Sequence, residues 1–354
     1  MSAWESPAAP YVDWKPFADL IAARKRFVLT THMNPDGDGL GSEVALAQYL
    51  ASQGKDVTVV NDGAVPAPFE FLARLYPIEP FRDDWARERV EAAEVVVILD
   101  TAVRSRLGRV APLLERPGLE IVVVDHHLGE PQFDGLAFVS TAACAAGEMV
   151  YDFLRREPEG LTAGIAEALY TALATDTGFF RHSNTDPEAH AMAAHLIALG
   201  ARPESLHAQI NQHRHAGRVR FQGAIWSRLE LTEDGTVAWL EADRATMESH
   251  AVDHSDTEGI VDFPRTLRGV EAVALFSETP DGKVKVSLRS TGRVNVERVA
   301  SRFGGGGHRA AAGATVPGPL AAGRERVIEA LREAVEEARA TDGAAAPSPR
   351  GTVS

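Results

Sequence analysis

The hydrophobic positions between residues 26 and 176 alternate between short apolar runs and longer amphipathic segments. The short runs are rich in Val, Ile and Leu, which is typical of strands buried on both faces of a parallel sheet. They occupy residues 26–31, 57–60, 95–99 and 121–124. Apolar positions at helical spacing occupy residues 39–53, 147–154, 162–174 and 187–199. This alternation predicts an α/β domain with a parallel sheet and helices on both of its faces.

The pattern changes after residue 200, where a Gly-Ala-Arg-Pro break is followed by a polar, helix-like stretch at 206–220 that is rich in His, Gln and Arg. Further strand-like runs occupy residues 237–240, 271–276 and 283–288, and helical spacing returns near 294–301 and 321–340. We therefore predict a first domain, a connector, a smaller α+β domain and a disordered tail. Their boundaries are 15–200, 201–230, 231–340 and 341–354.

Composition agrees with two globular domains, since the chain has 354 residues, of which 45% are hydrophobic and 24% charged. The single cysteine, Cys144, excludes an intrachain disulfide and fits a reducing compartment. No signal peptide is visible at the start, and no apolar run approaches the ~18 residues that a membrane span needs. We therefore expect a cytoplasmic protein that does not associate with membranes.

The net charge of −14 is unevenly distributed. Residues 1–200 contain 16 Lys and Arg against 29 Asp and Glu, whereas residues 201–320 contain 15 of each. An acidic protein is a poor partner for long duplex DNA, because polyanion binding needs many cationic contacts. The distribution instead favours an acidic half that attracts cations and a second half that binds a small phosphorylated ligand.

Acidic and histidine residues follow four of the predicted elements. They are His32, Asp36 and Asp38 after the first run, Asp100 after the third, Asp125, His126 and His127 after the fourth, and Asp176 after the helical segment 162–174. Any one of these positions has a structural explanation, such as a helix cap or a solvated turn. Their recurrence at successive element ends favours one shared site, because the carboxyl ends of parallel strands form the ligand crevice of such a sheet.

The residue types indicate the ligand of this site. Carboxylates with a minority of imidazoles suit Mn²⁺ or Mg²⁺, whereas a softer metal would favour thiolates. We expect Mn²⁺, with Mg²⁺ as an alternative. Two ions held about 3.5–4 Å apart lower the pKa of a shared water and neutralise charge at a phosphoryl centre.

In combination, these motifs resemble the signature of the DHH phosphoesterase superfamily. The motifs are His32-Met33-Asn34-Pro35-Asp36-Gly37-Asp38, Asp100, Asp125-His126-His127 and Asp176. The second half resembles the DHHA1 domain in Asp256-Thr257-Glu258-Gly259, Ser287-Leu288-Arg289-Ser290, Phe303-Gly304-Gly305-Gly306-Gly307-His308 and Ala311-Ala312-Gly313. The resemblance covers about residues 15–335 and is greatest to the branch of nanoRNases and pAp phosphatases. It implies a DHH catalytic domain at 15–200 and a DHHA1 substrate-binding domain at 231–340, with the active-site cleft between them.

The resemblance also implies the roles of single residues. One Mn²⁺ would be bound by His32, Asp36 and Asp100, and a second by Asp38, Asp100, His126 and Asp176, with Asp100 as the bridge. Asp125 would orient a ligand histidine. His127 would act on the substrate phosphate or the leaving oxygen as hydrogen-bond donor or general acid.

In the second domain the resemblance assigns the terminal phosphate or last nucleotide of the substrate to Arg289 and His308. An arginine suits this role because its guanidinium binds phosphate through two parallel hydrogen bonds. Gly305 and Gly306 would approach the same ligand through their backbone N–H groups.

The function implied is hydrolysis of RNAs of two to five nucleotides to mononucleotides, and of 3′-phosphoadenosine 5′-phosphate (pAp) to AMP and phosphate, by a homodimer. The alternative is a phosphodiesterase for cyclic di-AMP or its linear product pApA. A catalytically silent nucleotide-binding protein is disfavoured, because every ligand position is filled. The chain departs from its relatives at Cys144-Ala145-Ala146, where hydroxyl residues are common, so a hydroxyl contact with substrate is not expected there. We interpret His182 and Asn184 as residues without a substrate role.

Overall fold

A computed structural model describes residues 11–212, 215–257 and 259–345 of the chain. The chain divides into two compact units, Met1–His213 and Arg214–Ser354. Each unit contains its own six-stranded sheet and its own hydrophobic core. The two units are described in turn.

The first unit is built on a parallel sheet, which confirms the predicted α/β class. Its strands are β1 (Arg26–Thr30), β2 (Asp56–Asn61), β3 (Ile78–Pro80), β4 (Val95–Leu99), β5 (Glu120–Asp125) and β6 (Leu136–Val139). The strand order is β3-β2-β1-β4-β5-β6, and every neighbouring pair is parallel. The central strand β4 is buried on both faces, which explains its unbroken run of apolar residues.

Helices cover both faces of this sheet. They are α1 (Lys15–Ala23), α2 (Gly37–Ser52), α3 (Leu72–Leu75), α4 (Asp83–Ala92), α5 (Ala146–Leu154), α6 (Ala163–Asp176), α7 (Pro187–Ala198) and α8 (Pro203–Asn211). The larger core lies between the sheet and helices α1, α2, α5 and α6, whereas α4 and the 3₁₀ segment Arg104–Leu114 cover the opposite face. Alternate β4 side chains enter the two cores, Val97 on the first side and Ile98 on the second.

Helices α1, α3 and α4 and the edge strands β3 and β6 of the first unit are not predicted from the hydrophobic pattern. Helix α1 is amphipathic but short, and the edge strands β3 and β6 have three and four residues. Such short segments carry too little periodicity to be recognised, and β3 ends in proline. Both edge strands exist because a neighbouring strand supplies their hydrogen-bond partners.

The second unit contains a mostly antiparallel sheet. Its helices are α9 (Ala216–Trp226), α10 (Arg244–Ser249), α11 (Val296–Ser301) and α12 (Leu320–Ala345). Its strands are β7 (Glu230–Leu231), β8 (Val237–Ala242), β9 (Ala272–Glu278), β10 (Lys283–Ser290), β11 (Gly306–His308) and β12 (Ala311–Pro317). The order is β11-β12-β10-β9-β8-β7, and only the β8–β9 pair is parallel. Helices α11 and α12 pack on one face, and α9 and α10 on the other.

Three segments after residue 200 bear on the sequence expectations. The connector predicted at 201–230, with its helix-like stretch, contains two whole helices, α8 of the first unit and α9 of the second. Helix α12 continues to Ala345, so 341–345 of the expected disordered tail is helical, and 346–354 lies outside the described residues. Strands β11 and β12 are rich in Gly and Ala, whose strand propensity is low, and form because β10 pairs with β12.

The helices of the described ranges were also compared with the needs of a membrane span. None of them combines the length and the apolar character that crossing a bilayer requires.

Candidate active site

The carboxyl ends of three adjacent strands place the first group of polar side chains. His32 lies two residues after β1, Asp100 directly follows β4, and Asp125 is the last residue of β5. Because β1, β4 and β5 are neighbours and parallel, these residues lie at the same edge of the sheet. The sequence prediction of a shared edge therefore agrees with the topology.

The amino end of α2 contributes two further carboxylates. Asp36 caps the helix, and its Oδ1 accepts the backbone N–H groups of Asp38 (3.0 Å) and Gly39 (3.2 Å). Asp38 lies in the first turn and is buried. Its carboxylate accepts the N–H groups of Ala146 (2.7 Å) and Gly147 (2.8 Å), so it takes the place of the missing side-chain cap at the start of α5.

The candidate ligands come together in three overlapping groups, each with ligand atoms within 4.8 Å of one another and so able to hold a metal ion. The groups are His32, Asp36 and Asp100; Asp38, His126 and Asp176; and Asp100, His126 and His127. All six positions expected to bind metal take part. The third group was not expected, because it includes His127.

Asp100 lies at the centre of the cluster. Its Oδ2 is 3.3 Å from His32 Nε2, and its Oδ1 is 3.5 Å from His126 Nε2 and 3.6 Å from His127 Nδ1. Its backbone has φ of +61°, a left-handed conformation that costs about 1–3 kcal/mol in a residue other than glycine. The fold therefore maintains a strained backbone at the residue that two ligand groups share.

Asp125 and His127 form a close pair. Asp125 Oδ1 lies 2.8 Å from His127 Nδ1 and also accepts the backbone N–H groups of His126 (2.8 Å) and His127 (3.3 Å). Asp125 was expected to orient a ligand histidine, but its side-chain partner is the ring of His127, which was expected to act on substrate, and His126 contacts Asp125 through its backbone. This contact fixes the orientation of the His127 ring.

The carboxylates at this edge of the sheet repel one another electrostatically. Burial raises the pKa of Asp38 well above its usual value, and the Asp100 charge raises it further. Burial and Asp100 also raise the pKa of Asp176, although His126 partly opposes them. Burial would raise the pKa of Asp100 too, but His126 and His32 outweigh it and hold that pKa well below its ordinary range. A cation would relieve this crowding of negative charge.

Two buried polar atoms test whether the cluster fits a metal ion. Asp100 Oδ1 and His126 Nε2 are shielded from solvent and have no hydrogen-bond partner. Buried polar atoms without partners are costly, and both are ligand atoms of hard or borderline divalent metals. The donor set therefore fits a divalent metal ion.

Asn184 supports Asp176, a contact that the sequence analysis did not predict. Its Nδ2 donates to Asp176 Oδ2 (2.9 Å) and to the carbonyl of Cys144 (2.9 Å). The chain between Asp176 and Asn184 contains three consecutive residues with left-handed φ, Gly178 to Phe180. Nothing in the local sequence pattern indicates this turn. The one sequence signal for the contact was that Asn184 lies only eight residues after Asp176.

A buried polar chain behind the site was also not predicted. Glu43 Oε2 accepts from Asn61 Nδ2 (2.8 Å), and Asn61 Oδ1 accepts the N–H of Thr31 (3.0 Å). Thr31 Oγ1 then donates to the carbonyl of Leu99 (2.8 Å). Thr31 precedes His32 and Leu99 precedes Asp100, so this chain links the strand ends that carry two candidate ligands. A carboxylate on the buried side of α2 is the one sequence signal that could have revealed it.

In the second unit the structure places the two predicted phosphate-binding side chains on one sheet face. Arg289 of β10 and His308 of β11 are both paired with Ala311 of β12. Directly paired residues point to the same face, and two strand spacings separate these two by about 10 Å.

The glycines before His308 have different environments. A side chain at Gly305 would lie 2.1 Å from the carbonyl of Gly313, so this glycine is required by the approach of β12. Gly306 has open space around it. Of the two glycines expected to face substrate, Gly306 is therefore the one that packing does not require. Glu258 of the DHHA1-like motif lies outside the described residues.

Both halves of the chain match known protein families. Residues 26–173 match the DHH family, N-terminal domain, and residues 237–340 match the DHHA1 domain. The chain belongs to the DHH family of phosphoesterases and carries a DHHA1 domain.

Similar proteins within this family include two that share one description. The chain is 33% identical to the bifunctional oligoribonuclease and PAP phosphatase NrnA of Thermus thermophilus, over 90% of this chain and 93% of that protein. It is 28% identical to the protein of the same description from Bacillus subtilis, over 84% of this chain and 91% of that protein. Among solved structures, an exopolyphosphatase-related protein from Bacteroides fragilis has the same fold. Its TM-score is 0.87 at 24% identity, over 92% of this chain and 96% of that one.

Proposed function

We propose that this protein hydrolyses RNAs of two to five nucleotides to mononucleotides, and pAp to AMP and phosphate. The observation that carries the proposal is the overlap of the ligand groups at Asp100 and His126, in a chain similar along its length to two bifunctional oligoribonucleases and PAP phosphatases. Overlapping groups suit two neighbouring ions, which is the arrangement that phosphoryl transfer uses.

The residues fit two Mn²⁺ ions, with Mg²⁺ as the alternative. His32, Asp36 and Asp100 would hold one ion, and Asp38, Asp100, His126 and Asp176 the other. Bound there, the metal would activate water and neutralise negative charge on the phosphoryl oxygens. The acidic first half of the chain supports this proposal, because it attracts cations.

His127 and Asp125 would serve the leaving group. Asp125 accepts a hydrogen bond from His127 Nδ1, so the opposite nitrogen, Nε2, is the one left for the substrate. Nε2 would donate to the leaving oxygen when the ring is protonated, a form that Asp125 favours by raising the pKa of His127. The His127 side chain is 36% exposed, which leaves it accessible to a substrate. In the second unit, Arg289 and His308 would bind a terminal phosphate, with the backbones of Gly305 and Gly306 beside it.

Product analysis with purified protein and Mn²⁺ tests this function. Separate reactions would contain pAp, pApA, cyclic di-AMP and a five-nucleotide RNA. We expect mononucleotides from the RNA and phosphate from pAp, and no hydrolysis of either by Asp100→Asn. The exposed Asp19→Asn is the matched control and should retain full activity.

The other outcomes identify the alternatives. Hydrolysis of cyclic di-AMP or pApA alone would assign the protein to breakdown of a cyclic dinucleotide. Binding of nucleotides by wild-type protein with no hydrolysis of any substrate would indicate a silent nucleotide-binding protein and contradict the proposal.

Two wider expectations accompany this function. We propose that the protein is a homodimer in the cytoplasm, as the family resemblance and the single buried cysteine favour. Light scattering would test the first expectation, with a single-chain mass as the contradicting result. Cell fractionation would test the second.

A further inference from the structure

An aromatic ring in the second unit is exposed although its surroundings are fixed. Phe263 is 55% exposed, and its ring lies 4.6 Å from the Trp226 ring at an interplanar angle of 32°. Trp226 is anchored in turn by a hydrogen bond from Nε1 to the carbonyl of Ile260 (3.2 Å). The next residue, Pro264, is buried and restricts the backbone. The ring thus has a supported position and a surface open to solvent.

Two guanidinium groups lie beside the carboxylate of Asp262, the residue that precedes Phe263. Asp262 Oδ1 is 3.5 Å from Arg265 Nη2 and 3.6 Å from Arg289 Nε. Arg265 Nη1 also donates to the carbonyl of Ser290 (3.4 Å), which holds it against the end of β10. One carboxylate between two guanidiniums leaves a net positive charge, in a chain whose net charge is −14.

The aromatic and cationic groups share one face of the second sheet. Ile260 and Val261 pack with Val273 and Leu275 of β9, on the side opposite to α11 and α12. Arg289 reaches Asp262 on this same side, and Phe263 is the next residue in the chain. The exposed ring and the two arginines therefore lie on the same face of the sheet, with Asp262 between the arginines and directly before Phe263 in the chain. An inorganic phosphate would contact only the arginines, whereas a nucleotide could also contact the ring.

We propose that Phe263 is a stacking platform for a nucleobase and that Arg265 joins Arg289 in binding the phosphate of the same nucleotide. Aromatic rings bind bases of any sequence through their faces, and guanidinium pairs bind phosphate oxygens. The inference rests on the proposed function and adds the base to what the second unit recognises. The ligand class is a nucleoside monophosphate or the terminal nucleotide of a short RNA.

The test compares two ligands that differ only in the base. AMP and ribose 5-phosphate are titrated calorimetrically into the full-length protein without added metal. We expect the wild-type protein to bind AMP about tenfold more tightly than ribose 5-phosphate. Phe263→Leu should remove most of this preference and Phe263→Trp should retain it. Arg265→Ala should weaken both ligands by a similar factor.

Leu231→Ala is the matched control. Leu231 is also exposed, at 43%, but lies in β7 at the opposite edge of the sheet from β11, so its loss should leave both affinities unchanged. A second measurement does not depend on a folded Phe263 variant: AMP, but not ribose 5-phosphate, should change the fluorescence of Trp226, and Trp226→Phe should remove that change.

Three results would overturn the inference: a wild-type protein without preference for AMP, an unchanged preference in Phe263→Leu, or no binding of AMP. The hydrolysis assay is separate from these titrations. A failure of the proposed function appears there as absent turnover, whereas a failure of this inference appears as an unchanged ratio of the two affinities.

Discussion

Asp100 belongs to two of the three groups of candidate metal ligands. It is buried, it has a left-handed backbone, and it lies within 3.6 Å of three histidine rings. Its position directly after a buried strand was readable from the sequence. Its strained φ was not, because backbone conformation at a strand end depends on the neighbouring strands and loops.

Asp100→Asn should abolish catalysis and moderately destabilise a protein that still folds. The change removes a ligand charge shared by two groups, so we expect hydrolysis of pAp to fall by at least about 100-fold at saturating Mn²⁺. Because the histidines hold the pKa of Asp100 well below its ordinary range despite its burial, the folded protein favours the charged carboxylate, and its loss should lower the free energy of unfolding at pH 7 by about 1–3 kcal/mol. Initial rates and urea denaturation without metal check both expectations. Normal turnover by this variant would contradict the assigned ligand role.

At the scale of elements, the buried chain from Glu43 to Leu99 connects helix α2 with strands β1, β2 and β4. A buried carboxylate is expensive, and Glu43 Oε1 has no hydrogen-bond partner. Replacing such a group by an apolar one of similar volume is often neutral or stabilising. The contribution of Glu43 to metal binding can therefore be separated from its contribution to folding.

Glu43→Leu should weaken Mn²⁺ binding by about tenfold without lowering thermal stability, because Asn61 loses the partner that fixes its amide. Glu43→Gln keeps an acceptor for Asn61 and should bind Mn²⁺ as the wild-type protein does. Calorimetric titration of Mn²⁺ and thermal melts of the metal-free proteins distinguish the two roles. If the leucine variant melts earlier but binds Mn²⁺ normally, Glu43 serves only the fold.

Helix α5 is tied to the start of the described chain by Asp152. Its buried carboxylate accepts from Tyr11 N (3.1 Å), Trp14 Nε1 (2.8 Å), Arg155 Nη2 (2.7 Å) and Arg156 Nη2 (2.9 Å). Burial opposes the charge, but the hydrogen bonds from Trp14 and the two arginines outweigh it and lower the pKa of Asp152.

Asp152→Asn should therefore destabilise the protein in a pH-dependent manner. At pH 7 we expect a loss of about 2–4 kcal/mol, because the charge-assisted hydrogen bonds weaken. A carboxyl whose pKa is lower in the folded state stabilises above its ordinary pKa and loses that contribution as pH falls through the folded value. The difference from wild type should hold near neutrality and shrink below about pH 4. Urea midpoints at pH 7, 5 and 3 check this, and an equal difference at pH 7 and pH 3 would refute it.

The whole molecule combines a feature that sequence reveals well with one that it reveals poorly. The parallel sheet and its acidic edge were predictable, because buried strands and the residues that follow them are local patterns. Strands β11 and β12 were not, because Gly and Ala have low strand propensity and these segments become strands only by pairing, β12 with β10 and β11 with β12. The supporting contacts of Asn184 and Glu43 likewise depend on elements that are distant along the chain.

The acidic crowding predicts that metal stabilises the folded chain. An ion bound only by the native protein adds about 2.7 kcal/mol when its concentration is 100 times its dissociation constant. Mn²⁺ should therefore raise the thermal midpoint of the wild-type protein in proportion to the logarithm of its concentration, and Asp100→Asn should respond far less. Calorimetric scans over a series of Mn²⁺ concentrations make this comparison. Equal shifts of the thermal midpoint in the two proteins would show that the stabilising ion binds away from Asp100.

The hydrogen bonds of Asp38 have a consequence for how descendants of such a chain can evolve. Because the carboxylate also caps α5, a lineage that abandoned catalysis could drop His32 or Asp176 and still fold, whereas loss of Asp38 would leave two backbone N–H groups buried without partners. Selection for folding alone would preserve this aspartate. An aspartate at this position in a distant homologue therefore does not indicate that the homologue is an active enzyme. Residues equivalent to His32 and Asp176 are better indicators of activity.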